Sequence, residues 1–595
     1  MSRLQVQHVS GSAPAAFDLR RNGSTLVGDD GRKLNPVSLP APDERRVAED
    51  VDRTLSSELR WYLEDFLQYP FSPNDDRAER AMDTLEKWGR AAFAALFDRG
   101  DVPVLQKLMG GRELPAIEVV GNDPRVLSWP WEALVHPTLG FLAHHTRIIR
   151  RLTDAPAAHP VPKSLPQDRI NILLVTARPK KKDVAYRSIS RPLVEMIVEE
   201  DLPAAVHVLR PPTLQQLRDH LAAHPDTYHV LHFDGHGGYG RTMPAEERGD
   251  VYRGATGKLL FEKEDGTKKE VPADTLSSIL REHQVPAVVL NACQSGMVDE
   301  RAEGPFASVA AGLLQAGVRS VVAMGYTLYV SGAEHFLPDF YRRLFEEGDL
   351  AEAVRAGRQK MKMEPVRLSA AGDANLDDWL VPVHYHQERL RFSFADPAED
   401  NPAGGDGTEA HVVSADTADV ELPKEGRDRG EPLYGFFGRD DAIQEIERAM
   451  RRPPAGILLQ GLGGVGKTSL AWEVLSWLKN TGGLQYPPFW LNFDDVRSAE
   501  YVLDRLGVAF YGDRFRTVTG ETGGDADAKR QARLQQKVDL LADAMKSTPY
   551  VMVWDNFESA AGIEEAGVEP MLDADNRQVL KNLLAKLRGG DTTVI

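Results

Sequence analysis

The sequence predicts an α/β protein built on a mostly parallel sheet, followed by a second α/β unit. Three observations carry this. From about residue 112, short apolar runs rich in β-branched residues alternate with helical patterns. An acidic stretch rich in Gly and Pro interrupts the chain at 396–430. Beyond it, an apolar run, a glycine loop and a helical pattern follow one another directly. A chain of 595 residues has room for about three or four domains.

The elements follow in order. Residues 1–111 read as a mainly helical region after a polar start. "LSSELRWYLEDFLQYP" and "RAMDTLEKWGRAAFAALFDRG" repeat apolar residues at helical spacing and stop at Pro70 and Gly100. Residues 112–395 form the next domain. "AIEVVG", "INILLVTARP", "AVHVLRPP", "YHVLHFDG", "PAVVLNA" and "RSVVAMG" are its strands. "TLQQLRDHLAAH" and "FASVAAGLLQAG" are helices between strands, so right-handed βαβ units follow. "GKLLFEKEDGTKKEVPA" breaks the rhythm and reads as a hairpin turning at Asp265-Gly266. Residues 396–430 are nearly free of aromatics and bury too little to offset their ordering entropy, which predicts a flexible linker. The second α/β region covers 431–595.

Bulk properties exclude several classes. The chain has a single cysteine, so no internal disulfide forms and a reducing, cytoplasmic setting is expected. The N-terminus lacks an apolar signal segment, and no run approaches the roughly 18 apolar residues of a membrane span. A net charge of −18 disfavours general nucleic-acid affinity. Neither a membrane nor a specific nucleic-acid partner is expected.

That cysteine, Cys293, stands at the C-terminal end of the strand "PAVVLNA". A lone cysteine after an apolar run is ordinarily core filler. His236, however, lies just beyond another strand of the same sheet, between Gly235 and Gly237. Parallel sheets carry their sites at the carboxyl ends of strands. A histidine and a cysteine at one sheet edge suit nucleophilic catalysis: the imidazole takes the thiol proton and the thiolate attacks a carbonyl. The amides of Gly237 and Cys293 are the candidate oxyanion donors. In caspases the histidine precedes the cysteine of Gln-Ala-Cys-x-Gly by about 50 residues. Asn291-Ala292-Cys293-Gln294-Ser295-Gly296 departs from that strict form.

These motifs resemble those of the CHAT family, relatives of caspases and separase. "WPWEAL" at 129–134 with "GFLAHHTRIIRR" resembles the opening segment of the family, and "HFDGHG" and "NACQSG" resemble its catalytic motifs. The unit from "ASVAAGLLQAG" to "AVRAGRQ" and the closing "DDWLVPVHY" extend the likeness across about 112–390. The resemblance implies a caspase–hemoglobinase fold, His236 as general base and Cys293 as nucleophile on a protein substrate. Substrate preference is open: Arg178 and Arg187 suit an acidic residue before the scissile bond, Asp234 a basic one. His384 and His386 share a face of a strand, but no third metal ligand accompanies them. The acid found two positions before the cysteine in metacaspase-like members is replaced by Asn291.

The second region carries a P-loop. "GILLQGLGGVGKTSLAWEVL" reads as strand, loop and helix, with Gly461, Gly463, Gly464, Val465 and Gly466 wrapping phosphates by their amides. Lys467 reaches the β- and γ-phosphates, Ser469 follows on the helix, and Thr468 ligates Mg²⁺. "PYVMVWDNFES" is a strand ending in Asp555, the second Mg²⁺ residue; Asn556 takes the place of the usual second acid, for which Glu558 is the nearest substitute. ATP or ADP with Mg²⁺ is therefore the expected cofactor, and the protease chemistry needs none. "FFGRDDAIQEIERAM", with these motifs, resembles STAND NTPases near the NB-ARC group. That likeness implies that Phe437 and Arg439 lie beside the adenine, and that the module is C-terminally incomplete at "TTVI". The fused architecture implies a cysteine endopeptidase activated through a nucleotide-driven homo-oligomer in bacterial defence or programmed cell death. The trigger is unknown. The alternative is a nucleotide-switched scaffold with an inactive protease-like domain. A STAND transcription regulator would need a DNA-binding element, and none is recognisable.

Overall fold

The computed structural model describes residues 3–393 and 420–595, apart from 13, 29, 49–50, 100–102, 112–113, 181–182, 241–255, 294–304, 370–371, 434, 452–455, 518–524 and 563–568. Contacts divide the chain into two compact units, Met1–Asp406 and Gly407–Ile595.

Apolar runs that are buried along their whole length become the strands of the first unit. Ile170–Thr176 (β5), Ala204–Val208 (β6), Val230–Gly240 (β7), Ala287–Cys293 (β10) and Ser320–Met324 (β11) pair in parallel in the order β6-β5-β7-β10-β11. Pro382–His386 (β12) then joins β11 antiparallel. All seven residues of β5 and all five of β11 are buried, as parallel strands covered on both faces must be. The connecting helices supply that cover. Ser190–Glu199 (α3) and Val330–Glu347 (α7) meet on one face, where Arg342 donates to Glu200 at 2.7 Å. Leu214–Ala223 (α4) links β6 to β7. Ala273–Glu282 (α5) and Pro305–Gln315 (α6) pack together, with the bare backbone of Gly312 against Ala273 and Ser277. The expected hairpin is present as Thr256–Glu262 (β8) and Lys268–Pro272 (β9), turning at Gly266 with φ +78°.

The sheet does not stop at β12. It continues through Ile148–Leu152 (β4), Ala116–Gly121 (β3), Arg3–His8 (β1) and Ala16–Arg21 (β2). Residues 1–111 thus supply strands as well as helices, the strands lying in the polar start that precedes the helices. The helices Leu55–Glu64 (α1) and Asn74–Phe97 (α2) stand where the periodicity put them, but strands precede them. β1 buries Leu4 and Val6 and pairs in parallel with β3, and Glu118 of β3 accepts hydrogen bonds from Arg3 and Gln5. The polar residues of "RLQVQH" thus face a buried carboxylate, which masks the strand's apolar face in composition.

"WPWEAL" is tied into the sheet by charge. Glu132 is buried and accepts from Arg150 of β4 at 2.6 and 2.7 Å and from Arg358 at 2.8 Å. Arg358 lies on Leu350–Met363 (α8) and also donates to the carbonyl of Pro382, where β12 begins. Burial pushes the Glu132 carboxyl up, but the two guanidiniums outweigh it and hold it below the usual range.

In the second unit, Phe489–Asn492 (β13), Val551–Asp555 (β14) and Thr593–Val594 (β15) form a parallel sheet. The run before the P-loop is not a regular strand, contrary to expectation. It is tied to β15 by one bond, Ile457 N–H to the Val594 carbonyl at 2.7 Å.

The predicted linker lies mostly outside the described residues, and its last part is not a loop. Lys424–Gly430 is a helix (α9). Gly426 and Gly430, one turn apart, let it lie flush on the P-loop helix. A Cβ on Gly426 would meet Trp490 at 2.6 Å, and one on Gly430 would meet Trp472 at 2.5 Å. The glycines read as flexibility are close-packing positions.

Candidate active site

The chain reverses direction across the sheet at β5. β6 lies on one side of it and β7 on the other, the switch in strand order at whose carboxyl ends such sheets carry their sites. His236 lies within β7 and not beyond it as the sequence suggested, because the strand runs on to Gly240 by pairing with β8; it marks the last rung of the parallel pairing with β10. On the neighbouring strand β10 its register partner is Cys293. The two backbones therefore run side by side about 4.8 Å apart. Gly237, the other candidate oxyanion donor, is one rung beyond. The side chain of Cys293 lies outside the described residues.

Alternate residues of β7 share a face, and each meets a specific partner. His232 accepts or donates at Nδ1 to the Tyr341 hydroxyl of α7 at 2.8 Å. Asp234 takes the Arg178 guanidinium at 2.6 Å and the Asn291 amide at 3.3 Å. His236 Nε2 lies 2.6 Å from Oδ1 of Asp183, in the loop after β5. Gly235, on the opposite face, is tightly hemmed: a Cβ there would stand 3.0 Å from the Phe233 ring and 3.2 Å from the Ala177 carbonyl, so a side chain would push on both. Beyond β5, the end of β7 pairs with β8, His236 opposite Leu260.

These partners correct the candidate substrate contacts. Arg178 and Asp234 bind each other, both buried, so neither is available to read a substrate side chain. Burial is the larger influence on Asp234 and pushes its carboxyl up against the pull of Arg178. Arg187 is also buried. His384 and His386 have partners of their own: Ser320 at 2.8 Å and Glu118 at 3.3 Å. Among the described residues no group of three or more His, Cys, Asp or Glu could hold a metal.

Sequence reading missed Asp183. The available signal was its place in the loop leaving β5, the strand beside that of His236. Its carboxylate also accepts the amides of Lys180 at 3.1 Å and Val184 at 2.8 Å. Burial pushes the carboxyl up, while the hydrogen bond and charge of His236 and these two amides outweigh it and hold it below the usual range.

Residues 90–389, about half of the chain, match the CHAT domain. The chain belongs to the CHAT family. Its fold is accordingly the caspase-like one, a mostly parallel sheet flanked by helices. Residues 435–595 match the AAA ATPase domain, so this chain joins a CHAT domain to an ATPase domain. Two crystal structures of the Saccharomyces cerevisiae separase–securin complex are similar in part. That at 3.0 Å has 14% identity and a TM-score of 0.24, covering 47% of this chain and 15% of that one. That at 2.6 Å has 13% identity and a TM-score of 0.25, covering 55% of this chain and 20% of that one. No curated protein matches the sequence.

In the ATPase domain the predicted P-loop residues form a tight glycine turn at the start of a helix. Gly464 and Gly466 have φ of +74° and +87°, a turn that side chains resist. Lys467 opens the helix Lys467–Asn480 (α10), and its Nζ donates to the Gly461 carbonyl at 3.0 Å. Thr468 Oγ1 donates to Asp555 Oδ1 at 2.9 Å. Arg439 donates to the Val465 carbonyl, which brings the segment before the P-loop against the loop itself. Phe437 is exposed beside it. Asn556 bonds Asp494 at 2.7 Å and Glu558 lies in the short helix that follows. Mg²⁺ fits this donor set. A hydroxyl and a carboxylate are hard oxygen ligands, and nucleotide-bound Mg²⁺ takes the rest of its shell from phosphates and water. Burial pushes the Asp555 carboxyl up, a cost that a bound cation would relieve.

Proposed function

We propose that this protein is a cysteine endopeptidase whose activity is governed by its nucleotide-binding unit. The observation that carries this reading is the register of His236 against Cys293, where the parallel pairing of their two strands ends. In this reading His236 takes the thiol proton and the Cys293 sulfur attacks the scissile carbonyl. The amides of Gly237 and Cys293 receive the developing oxyanion. The amine leaves with the proton from His236, and water then hydrolyses the thioester.

The nucleotide unit acts as a switch of STAND type. ATP with Mg²⁺, held by the P-loop, Lys467, Thr468 and Asp555, drives assembly of several copies and so brings CHAT domains together. The contact of Arg439 with the P-loop supports a coupling between the segment carrying Phe437 and the phosphates. The setting is the bacterial cytoplasm, in defence or programmed cell death. The single cysteine supports a reducing compartment. Among the described residues no helix is long and apolar enough to cross a membrane.

The test is to map new protein termini in cells expressing the full chain or its Cys293→Ala variant. Termini that appear only with the wild-type chain are expected. Identical sets from both would leave the scaffold reading in place of the peptidase.

A further inference from the structure

We propose that Asp183 is the positioning residue of the cysteine–histidine pair: its carboxylate holds the His236 ring through Nε2, so that Nδ1 is the atom that takes the Cys293 proton. The proposal rests on the peptidase reading above and adds a third member to it.

The geometry is that of a built contact. Oδ1 of Asp183 lies 2.6 Å from His236 Nε2, and both side chains are less than a tenth exposed. The carboxylate is itself fixed by the amides of Lys180 and Val184, so it cannot swing away without losing backbone bonds. The other carboxylate on this face of β7, Asp234, is committed to Arg178. β5 and β7 are neighbours, so the loop carrying Asp183 and the stretch carrying His236 lie at the same edge of the sheet.

The chemistry follows. A neutral imidazole has one N–H, and a carboxylate at Nε2 fixes that N–H there. The Cys293 S–H bond breaks, its proton goes to Nδ1 and the electron pair stays on sulfur. Nε2 keeps its proton and donates to Asp183 throughout. Charges then run negative, positive, negative from carboxylate through imidazolium to thiolate, and the buried carboxylate stabilises the central cation. The ionisable groups facing His236 are Asp183 from the loop after β5, Arg178 at the start of that loop, and Asp234 on β7 itself. Among the described residues, the Arg178 amide in turn donates to Glu262 at the end of β8, and Cys293 is the backbone register partner of His236 on β10.

Because Cys293 is the only cysteine, alkylation of the full chain by iodoacetamide reports this thiol alone. The rate is measured against pH for the wild-type chain and for Asp183→Asn, Asp183→Glu and His236→Ala. The wild-type thiol is expected to react well below the ordinary thiol range of about pH 8.5, and His236→Ala to return it there. Asp183→Asn should slow the reaction about tenfold to a hundredfold near neutral pH, the size of one lost charge partner, yet match wild type in strong alkali. Asp183→Glu should recover part of the neutral-pH rate. A loop-shaping role alone would slow alkylation equally at every pH, and that result overturns the proposal. An Asp183→Asn profile identical to wild type overturns it too. If His236→Ala is also without effect, the pair fails and Asp183 with it; if only the Asp183 variants are silent, the pair stands without its third member. Should Asp183→Asn not fold, the Asp183→Glu profile decides, since a positioning carboxylate moved by one methylene must shift the neutral-pH rate.

Discussion

A buried carboxylate can be held charged inside the first unit where several donors converge on it. Glu118 is the clearest case. Burial pushes its carboxyl up, but hydrogen bonds and charge from His386, with bonds from Gln5 and Arg3, outweigh it and hold it at about 2. The group is therefore depressed below its unfolded value of about 4.3. Its stabilisation is complete above that value and is lost as pH falls through about 2. Melting temperatures of wild type and Glu118→Gln should differ most near neutral pH and converge towards pH 2; a gap independent of pH would contradict this. His236 and Cys293 stood out in the sequence because each follows an apolar run; the structure keeps Cys293 at a strand end but draws His236 into a strand that runs on to Gly240. Asp183 was not, since a carboxylate in a polar loop has the same composition whether it faces water or an imidazole. Arg178 and Asp234 illustrate the converse. As isolated residues each suits a substrate, and only the fold reveals that they neutralise each other.

At the level of elements, the central strands, the hairpin and the long helices were legible because burial on both faces, a turn at Asp265-Gly266 and helical periodicity leave strong patterns. Two elements were not. β1 hides its apolar alternation among residues that serve a buried acid, and α9 hides its packing in glycines. The α9 reading is testable by hydrogen exchange. Amides of 424–430 in the wild-type chain should be protected, whereas a linker would exchange at once. Gly426→Val should speed exchange in this helix and in α10, since overpacking against Trp490 costs about 1–3 kcal/mol. Exchange unchanged by the substitution would show that the helix does not rest on that ring.

At the scale of the whole molecule, a caspase-like unit and an ATPase unit share one chain. Lys467 is the residue through which the proposed coupling is most simply interrupted. Lys467→Ala should lower ATP affinity about tenfold to a hundredfold, the worth of a charged phosphate contact, and ATP should stimulate peptide cleavage by the wild-type chain but not by this variant. Equal stimulation of both would separate the ATPase unit from control of the peptidase. The central claim is that His236 and Cys293 work as one catalytic pair. Its most direct test is kcat/KM on a cleaved peptide, with ATP and Mg²⁺ present, for wild type, His236→Ala, Cys293→Ala and the double variant. The account predicts that each single variant loses at least about a thousandfold and that the double variant is no worse, because residues acting as a unit are lost together. Cleavage retained by Cys293→Ala, or losses that multiply in the double variant, would contradict it.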